Sequence, residues 1–141
     1  MENLISVTFG VPSHGWLPVD FRHQDFHLEF DASDVLNDPL DELYNAITKI
    51  QNNERRQITW WLEPGAYFFD IEKRGENIVL AISETSDLHN AKAVKEVLHT
   101  IKGDDAQIIK PLRVALKKFC SITYHEEQWP YKFDKHNIET L

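Results

Sequence analysis

The residues with the most chemistry in this chain of 141 are seven histidines and a run of carboxylates. His23 and His27 bracket Asp25, and His14 precedes them by one loop. Two imidazoles and a carboxylate are a donor set that suits a divalent ion such as zinc, at ligand distances of about 2 Å. The spacing argues against it. No His-Glu-x-x-His occurs, the histidines match no standard ligand pattern, and strand alternation sends His27 outward with Glu29 while His23 faces inward. No metal and no cofactor are expected.

Covalent chemistry has equally little to stand on. The single cysteine, Cys120, sits beside Phe119 near the end of an amphipathic segment, where a free thiol behaves as a small buried hydrophobe. No Gly-x-Ser-x-Gly elbow occurs, and the five glycines are scattered, so no phosphate-cradling loop forms. Glu63, beside Trp61, is the carboxylate whose apolar setting can raise its pKa toward general acid–base work. With His14 and Trp16 these two residues make an alternative reading, a small-ligand site or modest hydrolase. Without a catalytic constellation, a non-enzyme is the favoured expectation, and no catalytic residue is assigned.

Charge is the more directional signal. The formal net charge is −8, and no Lys or Arg falls between residues 23 and 48. Asp25, Glu29, Asp31, Asp34, Asp38, Asp41 and Glu42 all lie inside that window. Nucleic acid is a poor partner for such a chain, because phosphate contacts need clustered cations. A basic protein partner fits, with opposite charge speeding encounter; solubility alone is the other explanation of the acids. A lone cysteine suits a reducing cytoplasm. No apolar run approaches the length of about 20 residues that spans a bilayer. "MENLISVTFGVP" has no basic region leading into a long apolar segment, so neither a membrane span nor a signal peptide is expected.

These residues need elements to hold them. "LISVTF" alternates apolar and polar residues as a half-buried strand, "GVPSHGWLP" breaks the pattern as a loop, and "VDFRH" and "FHLEF" are two strands joined at Gln24-Asp25. Asn37 or Asp38 can cap a helix with Pro39 at its first position and Leu40, Leu43, Tyr44, Ile47 and Ile50 as its apolar stripe, over about 38–52. "ITWWLEPGAYFFDIEKRGENIVLAIS" is a three-stranded meander with turns at Pro64-Gly65 and around Gly75. In it Trp60, Phe69 and Ile71 belong to the core, and Trp61 and Phe68 to the opposite face; exposed together, those two would form a binding patch. A second helix, at about 105–122, starts at Asp104 or Asp105 and buries Ile108, Ile109, Leu112, Ala115, Leu116 and Phe119. Residues 91–102 fit both periods, with helical spacing somewhat better satisfied.

Four stretches carry a resemblance: "HGWLPV" at 14–19, "DASDVLNDPLDELYNAI" at 31–47, "WWLEPGAYFF" at 60–69 and "ITYHEEQWPYKF" at 122–133. Together they resemble small uncharacterised bacterial proteins, some encoded beside polymorphic toxins as suspected immunity proteins. The resemblance implies a strand rather than a helix at 91–102 and a toxin domain as the basic partner, and it assigns no catalytic residue. The expectation is an α+β domain over residues 1–134 with a polar tail at 135–141. Its antiparallel sheet of about six or seven strands is covered by two main helices. It is expected to be cytoplasmic and to act by binding a protein, with a homodimer through an open sheet edge or aromatic face as a further possibility.

Overall fold

The computed structural model describes residues 4–87 and 95–141. Among them seven strands form two antiparallel sheets. The first joins β1 (Ile5–Phe9), β2 (Trp16–His23) and β3 (Phe26–Ser33) in that order. The second joins β4 (Glu54–Trp61), β5 (Ala66–Arg74), β6 (Asn77–Thr85) and β7 (Glu96–Gly103), also in chain order. The class is α+β, as expected. The expected single sheet is divided in two because the chain leaves β3 through a helix, α1 (Pro39–Lys49), before starting β4.

The two sheets face each other across one core. Alternation puts Val7, Val19, Phe21 and Phe30 on the inner side of the first, and Ile58, Trp60, Phe69, Ile71 and Leu80 on the inner side of the second. Aromatic rings close the gap: Phe21 meets Phe69 at 5.4 Å, and Phe30 meets Trp60 at 5.8 Å and Tyr67 at 4.8 Å. Such pairs add about 0.5–1.5 kcal/mol each beyond the area they bury. A second long helix, α2 (Asp105–Phe119), packs on β1, β6 and β7, while α1 packs on β4 and on α2.

Both helices start where the sequence marks them. Asp38 caps α1 by accepting from the Asp41 N–H at 3.2 Å, with Pro39 at the first position. Asp104 and Gln107 form a reciprocal capping box on α2. Each helix ends about three residues before its expected limit; α1 stops at Lys49, and Asn53 takes a left-handed φ of 64° in the turn into β4. Pro111 lies inside α2, past its first turn.

Residues 96–103 are strand, so the better-satisfied helical spacing misleads there; 91–94 lie outside the described residues. The cause is tertiary. β6 is apolar on both sides and needs a partner, and β7 supplies it with Ile101 opposite Leu80 and His99 opposite Ile82. At the chain's end, residues 135–141 include a short helix, α3 (Lys135–Glu139), held down by a 2.6 Å hydrogen bond between the Tyr44 and Thr140 hydroxyls.

Candidate interaction surface

The outer side of the first sheet carries charge. On β2, Asp20 and Arg22 alternate with buried Val19, Phe21 and His23; on β3, His27, Glu29 and Asp31 alternate with Leu28 and Phe30. The register sets Asp20 opposite Glu29 and Arg22 opposite His27. The Asp20 carboxylate accepts from Arg22 Nε at 3.0 Å and sits 3.1 Å from His27 Nε2, contacts that hold it below the usual carboxylate range.

Beyond Asp20 the carboxylates are less engaged. Asp25 is exposed in the β2–β3 turn, whose Gln24 takes a left-handed φ of 54°. Glu29 and Asp31 follow on β3, separated by one pleat period of about 6.6 Å. Among the described residues, none of these three holds an ion pair with a Lys or Arg; Glu29 has only His27 Nε2, at 3.7 Å. Glu29 and Asp31 put exposed negative charge on an edge strand of the first sheet, and Asp25 adds to it from the turn.

The remaining acids of the 25–42 window gather at the start of α1 and are partly absorbed by the fold. Glu42 accepts from the Thr59 N–H at 2.8 Å and from Asn37 Nδ2 at 3.0 Å, which ties α1 to β4. Asp38 is the α1 cap, and its pKa is pushed up to about 6, chiefly by burial and then by the neighbouring charges of Asp41 and Glu42, against the Asp41 and Leu40 N–H groups. Asp34 is half-buried, with its carbonyl accepting from the Tyr131 hydroxyl. Asp41 is exposed and accepts from Asn45. One acidic sequence window thus becomes two patches. The sheet-face patch is the open one.

The alternative pocket residues do not converge. Trp16 lies on the outer side of the first sheet, opposite Ser33, and Trp61 on the outer side of the second, opposite Ala66; these sides point away from each other across the core. Trp61, Ala66 and Phe68 form a small cluster of their own, with both rings buried, so they are no exposed patch. The Lys95 ammonium sits 4.8 Å above the Phe68 ring and 3.1 Å from the buried Asp70 carboxylate, which Arg55 and Gln57 also approach. Glu63 is exposed, with a left-handed φ of 58° and a cis bond to Pro64.

His14 is exposed in a loop fastened to the chain's C-terminal part: its N–H donates to Gln128 Oε1 at 2.6 Å and the Gly15 N–H to the Gln128 carbonyl at 2.7 Å. Gly15 has a φ of 82°, and a Cβ there would meet Asp34 Oδ1 at 2.8 Å.

The metal reading has a different geometry from the one the sequence suggests. His23 is buried against His99 and is not gathered with His14, His27 and Asp25. Among the described residues, the donor atoms that do come within 4.8 Å of one another belong to Asp20, His27 and Glu29. Asp20 and Arg22 lie outside the acidic window, and only the cross-strand register brings them onto this surface. The Cys120 thiol is pushed up by burial, away from a reactive thiolate. No helix among the described residues is long and apolar enough to cross a membrane. Comparison with family models, curated proteins and solved structures finds no match to the chain.

Proposed function

We propose that the protein works by binding a basic protein partner on the outer side of its first sheet, without catalysis of its own. The observation that carries this reading is the set Asp25, Glu29 and Asp31, exposed and in no ion pair with a Lys or Arg among the described residues, with the Arg22 charge reaching Glu29 alone of the three. A pleated sheet fixes the spacing of these carboxylates, so a partner meets a preformed charge pattern and spends little on ordering it. The resemblance of the four sequence stretches narrows the partner to a toxin domain that the protein neutralises.

A second reading has one observation in its favour. Charged side chains on an edge strand also discourage sheet-to-sheet aggregation, and β3 is an edge of its sheet. Binding kinetics separate the two. A partner steered by this face associates more slowly as salt rises, because exposed charges are screened beyond about 8–10 Å at ordinary ionic strength. Glu29→Lys and Asp31→Lys slow it further. Monomeric behaviour that is lost in the uncharged variant Glu29→Val with Asp31→Val, with unchanged association, would favour edge protection.

A further inference from the structure

Beyond α2 the chain doubles back, and it leaves a cavity of about 200 Å³ between the helix end, residues 122–124 and α3. Five of its eight lining residues are aromatic or aliphatic: Phe119, Ile122, Tyr124, Phe133 and Ile138. Phe119 belongs to the buried core, and the Tyr124 ring lies 5.5 Å from it. The Tyr124 hydroxyl is already committed, donating to the Tyr131 carbonyl at 2.6 Å, so this residue offers the cavity a ring. Enclosed apolar cavities of about 150 Å³ accept benzene; this one is open to solvent on the side of Thr123 and Lys132, so a ring can enter with a polar group left at the rim. The space here suits one six-membered ring with a small substituent.

The charge at the cavity runs against that of the molecule. In a chain of net charge −8, the one charged side chain in the lining among the described residues is the cation Lys132, with Thr123 as the neutral hydroxyl. Asp38, whose charge reaches Tyr124, and Asp134, whose carboxylate caps α3, are outside the lining. The carbonyl end of α2 opposes an anion, but the Leu116, Lys118 and Phe119 carbonyls already accept from the N–H groups of Cys120, Ser121 and Ile122. The Cys120 thiol stays protonated, since burial raises its pKa. We propose that this cavity binds a small aromatic or alicyclic carboxylate, its ring among Phe119, Tyr124 and Phe133 and its carboxylate at Lys132. The site is separate from the acidic sheet face.

Cys120 lines the cavity and is the chain's single cysteine, so its reactivity reports on occupancy. Benzoate and cyclohexanecarboxylate are titrated by calorimetry, beside neutral benzyl alcohol and cationic benzylamine. The rate at which an aromatic disulfide reagent modifies Cys120 is followed in parallel. The carboxylates should bind one per chain and slow the modification, and benzylamine should do neither. Lys132→Met, at an exposed position that keeps an apolar stem, should weaken benzoate about fivefold, the size of a partly exposed charge pair, and leave benzyl alcohol unchanged. Ile138→Trp fills the cavity and should abolish binding with the circular dichroism spectrum unaltered. Benzoate that leaves Cys120 equally reactive, binds no better than benzylamine, or still binds the Ile138→Trp protein would overturn the assignment.

Discussion

His23 Nδ1 lies 2.8 Å from His99 Nε2, and this part-buried contact joins β2 of the first sheet to β7 of the second. Phe26 stacks on the His99 ring at 4.4 Å and 6°, so the pair is covered from β3 as well. One imidazole donates and the other accepts, an arrangement open to neutral rings and closed to two imidazolium ions.

Acid should therefore loosen the junction. Burial lowers the pKa of both rings from the ordinary 6.5, and the His23 charge adds to the lowering at His99. Well above pH 6.5 the rings are neutral whether the chain is folded or not, and the pair adds no pH dependence. Below it the unfolded chain takes up protons that the folded one refuses, so stability falls as pH falls. Urea denaturation at pH 7.5 and pH 5 should show this loss, and His23→Gln with His99→Gln should reduce it. An equal loss in the double variant would place the acid sensitivity elsewhere.

Asp38 works with the opposite sign in an overlapping window. Its folded pKa of about 6 stands above the ordinary 3.8, so its contribution is favourable below 3.8 and is lost as pH rises through 6. Asn caps a helix as well as Asp does. Asp38→Asn should then stabilise the protein at pH 7 by about 1 kcal/mol, less than the whole shift because the side chain is partly solvated. The gain should vanish near pH 3.5. The same variant is the proper background for the histidine experiment. A destabilised Asp38→Asn protein at pH 7 would mean that the charge is needed at the cap.

Trp60 sits at the centre of the core, with Phe9, Phe30 and Phe69 within 5.8 Å between ring centroids. Its indole Nε1 is buried and has no hydrogen-bond partner among the described residues. Trp60→Ala should cost about 3–5 kcal/mol. Trp60→Phe should cost only about 1–2 kcal/mol, since it also removes a donor already left unmade at some expense. Guanidinium denaturation measures both, and a Phe variant as damaged as the Ala variant would show that the indole N–H finds a partner.

Most strands, both helix starts and the core role of Trp60, Phe69 and Ile71 were legible because they rest on local rules: alternation, caps and turn residues. β2 is longer than its pattern suggests, since Trp16, Leu17 and Pro18, in a stretch with two glycines and two prolines that reads as loop, pair with β3. What the sequence hid depends on which segments meet. β7 is a strand because β6 lacks a neighbour on that side, a fact absent from its own spacing. Trp61 and Phe68 alternate outward as the pattern demands, yet they are buried, so facing away from the core does not settle exposure. The acidic window reads as one feature along the chain, but α1 turns away after β3, and Asp38 and Glu42 become structural while Asp20 joins Glu29 across the register. The cavity is assembled from the end of α2 and a tail that reads as polar, and nothing in either stretch alone announces it.

Charge reversal on the sheet face tests the binding account most directly. Glu29→Lys with Asp31→Lys leaves the buried residues of β3 untouched, unlike changes at Asp38 or Glu42, which would disturb a cap or the link to β4. The wild-type and reversed proteins are used side by side to capture partners from the native host, and the association rate of any basic protein retained is followed over rising salt. The account expects the wild-type rate to fall with salt, and the reversed protein to associate about tenfold or more slowly with its own stability unchanged. An association rate indifferent to both salt and reversal would contradict it.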